Sequence, residues 1–322
     1  MKKKLILIIL FFNSLCIFAQ QFPQYSLYML NPHALNPAYA GLDGSLSATA
    51  MARKQWTGLE GSPTGALLDV HLPVDYINSG FGLRLENDAL GAQQRNSVQL
   101  SYAYHIQAGE DARLSFGLRG IVRQYTLDGS KLRTPDGNYE GITIDHQDVT
   151  LPNTSVTTIN SDVGVGVYFQ NSGLEIGAAA DNILKSPIKF SINGLKIKSI
   201  SNYFFTFAYQ IPLSESLTLQ PAALIKSDLT QTQSDISLII NYQSNIFAGA
   251  SLRGYNKNSL DAVVALVGFQ FSEHWRVAYS YDVGISALKT VQNGSHEILL
   301  GYNLRTSMGK ALLPPIIFNP RF

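Results

Sequence analysis

The stretch VQLSYAYHIQ, Val98 to Gln107, alternates with a period of two: Val98, Leu100, Tyr102, Tyr104 and Ile106 fall on one side, and Gln99, Ser101, Ala103, His105 and Gln107 on the other. Successive side chains of a strand point to opposite faces, so this pattern describes a strand with one apolar and one polar face, long enough to cross a bilayer. The same pattern sets Phe81, Leu83 and Leu85 against Gly82, Arg84 and Glu86. It recurs with Trp275, Val277, Tyr279 and Tyr281 against His274, Arg276, Ala278, Ser280 and Asp282. Near the end Ile298, Leu300, Tyr302 and Leu304 oppose Glu297, Gly301, Asn303 and Arg305, with Leu299 as the exception. Reading every such segment predicts about fourteen strands, at 44–56, 63–72, 79–88, 93–107, 112–126, 160–170, 173–183, 200–211, 216–227, 232–243, 245–254, 259–271, 274–283 and 295–306.

Loop lengths follow a parity. Links after even-numbered strands are tight, as at Ala108 to Asp111, Asn171-Ser172, Pro212 to Glu215, Ser244 and Ser272-Glu273; the long links, Leu127 to Ile159, Leu184 to Ser199 and Gly284 to Gly294, follow odd-numbered ones. Outer-membrane barrels have an even strand number, short turns on the periplasmic side and long loops outside. The link from Pro73 to Asn78 is the exception to the parity. Composition agrees with a barrel: 15% of the residues are charged and mean hydropathy is +0.04, as expected when lipid-facing and lumen-facing residues cancel in any window. No apolar run after the amino terminus is long enough for a membrane helix. A net charge of +1 gives no case for nucleic-acid binding. The expected fold is all-β: a transmembrane antiparallel barrel of about fourteen strands, integral to the outer membrane, with both termini on the periplasmic side.

The amino terminus sets the compartment. Lys2, Lys3 and Lys4 precede an apolar run from Leu5 through Phe12, closed by Ala19, the layout of a secretory signal. Residues 1–19 are read as this leader, with cleavage after Ala19 or Gln20. Cys16, the single cysteine, lies inside it, so the mature chain offers neither a disulfide nor a thiolate metal site. Residues 20–43 form an irregular lead-in or plug, 44–306 the barrel and 307–322 a periplasmic tail. In the lead-in, Pro32 and Pro37 each withhold a backbone donor and push Asn31 and Asn36 out of helical geometry, which excludes a long helix or central strand there.

The lead-in also carries a resemblance. Gln24, Ser26, Tyr28, Met29, Asn31-Pro32, Asn36-Pro37-Ala38-Tyr39-Ala40-Gly41, then Arg53, Gln55-Trp56 and Gly58, then Ser62-Pro63-Thr64 resemble the amino-terminal signature of the PorP/SprF family of outer-membrane barrels, associated with the type IX secretion system and gliding apparatus of Bacteroidota. The resemblance is strongest over residues 21–65. It implies a non-enzymatic role in secreting or retaining surface proteins that carry a C-terminal sorting domain, with other secretion or gliding components as partners. The signature residues from Gln24 to Gly41, with Arg53, Gln55, Trp56 and Gly58, are the candidate site, either as a plug of the lumen or as a contact for a partner. As a segment ahead of the first strand, residues 21–43 are expected to begin on the periplasmic side.

Other features leave alternatives. Residues 308–322, with Pro314-Pro315 beside Ile316, Ile317 and Phe318, form an extended tail that either docks on a partner or folds back on the barrel. Arg53, Arg84, Glu86, Arg119, Arg123, Glu175, Arg253, Arg276, Glu297 and Arg305 point to the lumen, either neutralising one another or lining a solute path. Aromatic residues near strand ends, among them Tyr76, Tyr168 and Tyr203, suggest interfacial girdles. Asp136, Asp145, His146 and Asp148 share the longest loop, but their spacing matches no metal motif. The chain lacks G-x-S-x-G, H-E-x-x-H and phosphate-loop patterns, so no catalytic residue, metal site or cofactor is assigned. The alternative function is an outer-membrane channel for hydrophobic or small solutes.

Overall fold

The computed structural model describes residues 23–306 except 141–143, 193, 244 and 257–258. The expected leader and the tail 307–322 lie outside the described residues. Fourteen strands form one closed antiparallel barrel: β1 (Ser47–Lys54), β2 (Thr64–Val74), β3 (Ser79–Leu90), β4 (Gln93–Gln107), β5 (Arg113–Asp128), β6 (Ser155–Gln170), β7 (Leu174–Asp181), β8 (Asn202–Tyr209), β9 (Leu217–Ser227), β10 (Thr232–Tyr242), β11 (Ile246–Asn256), β12 (Ser259–Gln270), β13 (Trp275–Gly284) and β14 (Ser295–Asn303). After Gln210 the β8 chain continues as a short strand, Ile211–Ser214, also on β9. Every strand pairs with its sequence neighbours, and β1 pairs with β14 from Ser47↔Asn303 to Lys54↔His296. Closure leaves no edge strand with unpaired backbone groups, the condition for a sheet to sit in hydrocarbon.

The two faces of the barrel are inverted relative to a water-soluble sheet. On β4, Leu100 is 64% exposed and Gln99 only 1%. The apolar set therefore faces out, toward lipid, and the polar set faces a filled lumen. Leu299, which breaks the alternation of β14, is fully buried and clusters with Leu27, Met29 and Leu30 from the lead-in, as do Met51, Leu67 and Leu266 from other strands. Interruptions of the polar inner face thus mark the places where the lumen filling is apolar.

The exceptional link is shorter than expected. β2 runs through Pro73 to Val74, where Pro73 pairs with Gly80, leaving a 3-10 turn at Asp75–Ile77 closed by Asn78 in the left-handed region at φ 49. The link after β2 is therefore as tight as the others at that end. β6 begins at Ser155 rather than at 160, which shortens the longest loop. The long-loop end also carries tight turns, at 91–92 and 228–231, so parity holds for the long links and not for every short one. Two expectations fail on particular side chains. Tyr168 faces inward and is buried rather than sitting in a girdle, and Arg305 lies past the end of β14, half-buried, rather than on a lumen face.

Candidate functional site

Residues 23–43 fill the lumen. Three single-turn 3-10 helices, Tyr28–Leu30, Pro32–Ala34 and Pro37–Tyr39, give the segment its shape. The Asn-Pro pairs build the second and third. Asn31 Oδ1 accepts a hydrogen bond from Ala34 N and Asn36 Oδ1 accepts one from Ala38 N at 3.0 Å. In each turn the asparagine acts as the N-cap, and the proline after it takes the first helical position, where its missing N–H costs nothing.

A short irregular peptide leaves backbone groups without internal partners, and once buried each must be satisfied from outside. The barrel wall does this with sorted charges. The N–H groups of Ser26 and Leu27 donate to the two oxygens of Glu297 at 2.8 and 2.9 Å. The carbonyls take arginines: Leu30 O accepts from Arg276 at 2.6 Å, His33 O from Arg119 at 2.5 Å, and Ala34 O from Arg84. Hydrogen bonds to charged groups are worth roughly 1.5–3 kcal/mol each, so the set holds the plug firmly. The carboxylates also restrain the arginines, with Glu86 2.9 Å from Arg84 and Asp181 3.3 Å from Arg119.

Ser26 is the hub of the upper lumen. Its hydroxyl accepts from Arg53 at 2.8 Å and Arg253 at 2.9 Å and donates to Asp282 at 2.8 Å. Arg53 pairs with Asp282 and Glu297, and Arg253 with Asp235 and Asp282. These lumen charges largely neutralise one another, leaving Ser26 as the uncharged junction between two guanidinium groups and a carboxylate.

Four glycines make room lower down. Gly80 and Gly82 on β3, Gly117 on β5 and Gly166 on β6 face the plug, and a Cβ on any of them would overlap Ala40, His33, Ala38 or Asn36 respectively. Bare backbone at Gly166 lets the Asn36 amide reach the backbone of the wall, donating to Val167 O at 2.9 Å and Ala178 O at 3.2 Å. Ala38 is fully buried, and its small side chain suits this close approach. Tyr39 packs edge-on against Tyr168 at 5.0 Å and donates to Asp43 at 2.7 Å. Gly41 turns the chain at φ 81, within contact of Gly80 and Pro73, and its N–H donates to the His71 ring.

The two halves of the sequence signature meet here. Arg53 bonds Ser26, and the Gln55 amide donates to Gln24, which itself donates to Gln233 at 2.7 Å. Tyr28 shares a 3.0 Å hydrogen bond with Ser237, and Met29 is buried in the apolar cluster. Trp56 and Gly58 lie on the β1–β2 loop, both at positive φ, 52 and 89, where Thr57 ties that loop to the loop before β14.

The direction of the plug departs from expectation. Pro23, Gln24 and Tyr25 lie beside Gln55, Trp56, Pro63 and Leu90, at the long-loop end, and Gly41 lies at the short-turn end. The described chain therefore starts at the opposite end from Asn303, where β14 finishes beside Ser45 and Ser47, and residues 23–43 do not begin at the short-turn side. β1 starts at the short-turn end, so residues 23–46 run the barrel's height from the long-loop end to that start.

The loop carboxylates make local turns. Asp145 Oδ1 accepts from Gln147 N, and Asp148 Oδ1 from Thr150 N and Oγ1, bonds that hold the Asp148 carboxyl below its usual range. His146 is buried against Tyr139 and Pro152 O. Among the described residues no three His, Cys, Asp or Glu side chains converge on a metal position. Sequence reasoning missed the glycine track and the role of Asp69, which bonds the buried His33 ring at 2.7 Å; glycine recurring at inward strand positions is the signal that marks the track.

Among solved structures the chain is similar to a monoaromatic hydrocarbon channel, the TodX ΔS2S3 mutant, at 10% identity and TM-score 0.48, covering 85% of this chain and 94% of that one. It is also similar to a Pseudomonas aeruginosa FadL homologue at 10% identity and TM-score 0.45, covering 88% and 94%. A third likeness is to the translocator domain of the autotransporter NalP from Neisseria meningitidis, at 14% identity and TM-score 0.42, covering 81% and 88%. With scores this low, the strand count and closure rest on the barrel's own pairing. No curated protein matches the chain significantly. The family model described as type IX secretion system membrane protein PorP/SprF matches residues 17–302, a span that takes in the plug, its Glu297 anchor and nearly every strand. The chain belongs to the PorP/SprF family of type IX secretion system membrane proteins.

Proposed function

We propose that this integral outer-membrane barrel is a non-enzymatic accessory of type IX secretion that works through its surfaces and not as a conduit, assisting the secretion or surface retention of proteins with a C-terminal sorting domain. The observation that carries this reading is the plug itself. Residues 24–43 are buried and bonded to strands all round the wall, including β2, β3, β5, β6, β10, β13 and β14. A polypeptide cannot pass a lumen so filled without breaking several charge-assisted bonds at once. Client contact then falls to the loops at the long-loop end, which in this proposal faces outside, and contact with other secretion or gliding components falls to the short-turn end. Residues 1–19 act as the export signal, 20–43 as the plug and 307–322 as a tail at the short-turn mouth.

The test is affinity purification of the tagged barrel from solubilised outer membranes, with identification of what accompanies it. The expected result is enrichment of secretion-system components or sorting-domain proteins. If neither accompanies the barrel, and trimming the plug instead raises permeability to small solutes, the channel alternative replaces this reading.

A further inference from the structure

Two adjoining cavities open above the plug at the long-loop end. One surrounds Pro23, Tyr25 and Trp56; the other lies under the loop between β7 and β8, and Asp88 and Leu90 line both. A concave site that sets an apolar side against a few placed polar groups suits a small molecule. Leu90, Leu127, Ile188, Phe190 and Ile200 make the apolar side of the larger cavity, and Gln93, Gln94, Asn182 and Asn202 are among its polar lining. The loop covering it contains a small hairpin in which Ile188 pairs with Ile197 and Lys189 with Lys196. The apolar pair faces the cleft and the lysines are exposed.

The charge around this cleft is mainly basic, with Asp88 the one acid of its lining. Like charges directly opposite on a hairpin are unfavourable, yet Lys189 and Lys196 face each other, and residues 182–201 hold Lys185 and Lys198 as well and no acid. Below the rim, Arg95 lines the cleft opposite Asp88 at 3.5 Å. Deeper still is Arg123, 2% exposed, two residues along the inner face of β5 from the cleft residue Tyr125. Its guanidinium donates to Asn182, itself part of the cleft lining. Arg53, Arg84, Arg119 and Arg253 each have a carboxylate within 3.3 Å. Among the described residues Arg123 has no ion pair. Burying an arginine without an anion is costly, and a ligand that supplies one recovers the cost.

We propose that the mouth cleft binds an amphiphilic carboxylate, a single acyl chain ending in a carboxylate group, with the chain along the apolar wall and the head group drawn to Asn182 and Arg123. A peptide fits less well. The wall's backbone groups are already used, Phe190 N by Leu195 O and Asp128 N by Ala92 O, so a bound peptide backbone would find few partners.

The test uses the purified full-length barrel and native mass spectrometry with dodecanoate and its methyl ester as probes. One dodecanoate is expected to bind, with the uncharged ester weaker by roughly tenfold or more, the equivalent of one charge-assisted hydrogen bond. Arg123→Gln should weaken dodecanoate by a similar factor and leave the ester unchanged, and Ile200→Trp, which fills the cleft, should abolish both; heat-modifiable migration on gels shows whether each variant is folded. Equal binding of acid and ester by the unaltered barrel overturns the proposal, as does absence of any adduct or unchanged binding by folded Arg123→Gln. None of these outcomes bears on the secretion role, whose test is co-purification.

Discussion

Replacing Gly117 by alanine tests the claim that the barrel wall is built around its plug. A Cβ at this position would lie 2.5 Å from Ala38 Cα and 2.5 Å from Pro37 C. Both are backbone atoms, so no rotamer change relieves the clash, and the third 3-10 turn must withdraw by about 1 Å to restore van der Waals distance. Overpacking of this kind costs roughly 1–3 kcal/mol. The shift also pulls on the Asn36 bonds to Val167 and Ala178, and a buried polar group left unpaired costs roughly 1–3 kcal/mol more. The expected loss is therefore roughly 2–6 kcal/mol, a fall in melting temperature of about 4 °C or more for a chain of this size. Gly120 lies on the same strand with nothing within 4 Å of its added Cβ, and Gly120→Ala is the control, expected to stay within about 0.5 kcal/mol of the parent. Thermal unfolding of the purified barrel, followed by heat-modifiable gel mobility, reads both. Equal melting temperatures for the parent and Gly117→Ala would refute the reasoning, and so would an equal fall for the two variants, since that would point to strand propensity rather than to the plug.

Glu297→Gln removes the charge that receives Ser26 N and Leu27 N and leaves Arg53 with Asp282 alone; breaking a buried pair costs roughly 3–5 kcal/mol, so hydrogen exchange should rise across residues 24–30 while the middle of β4 stays protected, and unchanged exchange in the plug would count against the anchor. Ser26→Ala deletes the hub between Arg53, Arg253 and Asp282 and should lower stability by roughly 1–3 kcal/mol, with Ser26→Thr recovering most of it in the same melting assay. The course of the plug is checked by cysteine labelling, because the only cysteine lies at position 16. On intact cells a membrane-impermeant maleimide should label Pro23→Cys, while Asp75→Cys at the short-turn end should react only after lysis; the reverse pattern would rule out a long-loop end that faces outside.

The fourteen strands were legible in the sequence because strand periodicity is local: Gln99 beside Leu100, or Arg84 beside Leu85, declares two faces without knowledge of any neighbour. The Asn-Pro pairs were legible in part. Proline excludes helix and strand on its own, but only the folded chain shows Asn31 and Asn36 capping the turns that follow. Leu299 looked like a defect in β14 until the apolar plug residues beside it were placed. Arg84, Arg119 and Arg276 read as inward charges, and their partners, three plug carbonyls distant in sequence, could not be inferred from spacing.

By itself, then, the sequence determined the class of fold, the strand count and the family signature, since each is written in residues close together along the chain. The tertiary structure alone decided that the plug runs from the long-loop end to the short-turn end, that Gly80, Gly82, Gly117 and Gly166 clear its path, and that Arg123 lies buried under the mouth with no carboxylate partner among the described residues. Those facts depend on which distant residues closure brings face to face. A barrel's register and its filling are set by contacts across the lumen, and a pattern of period two along one strand carries no record of what stands opposite.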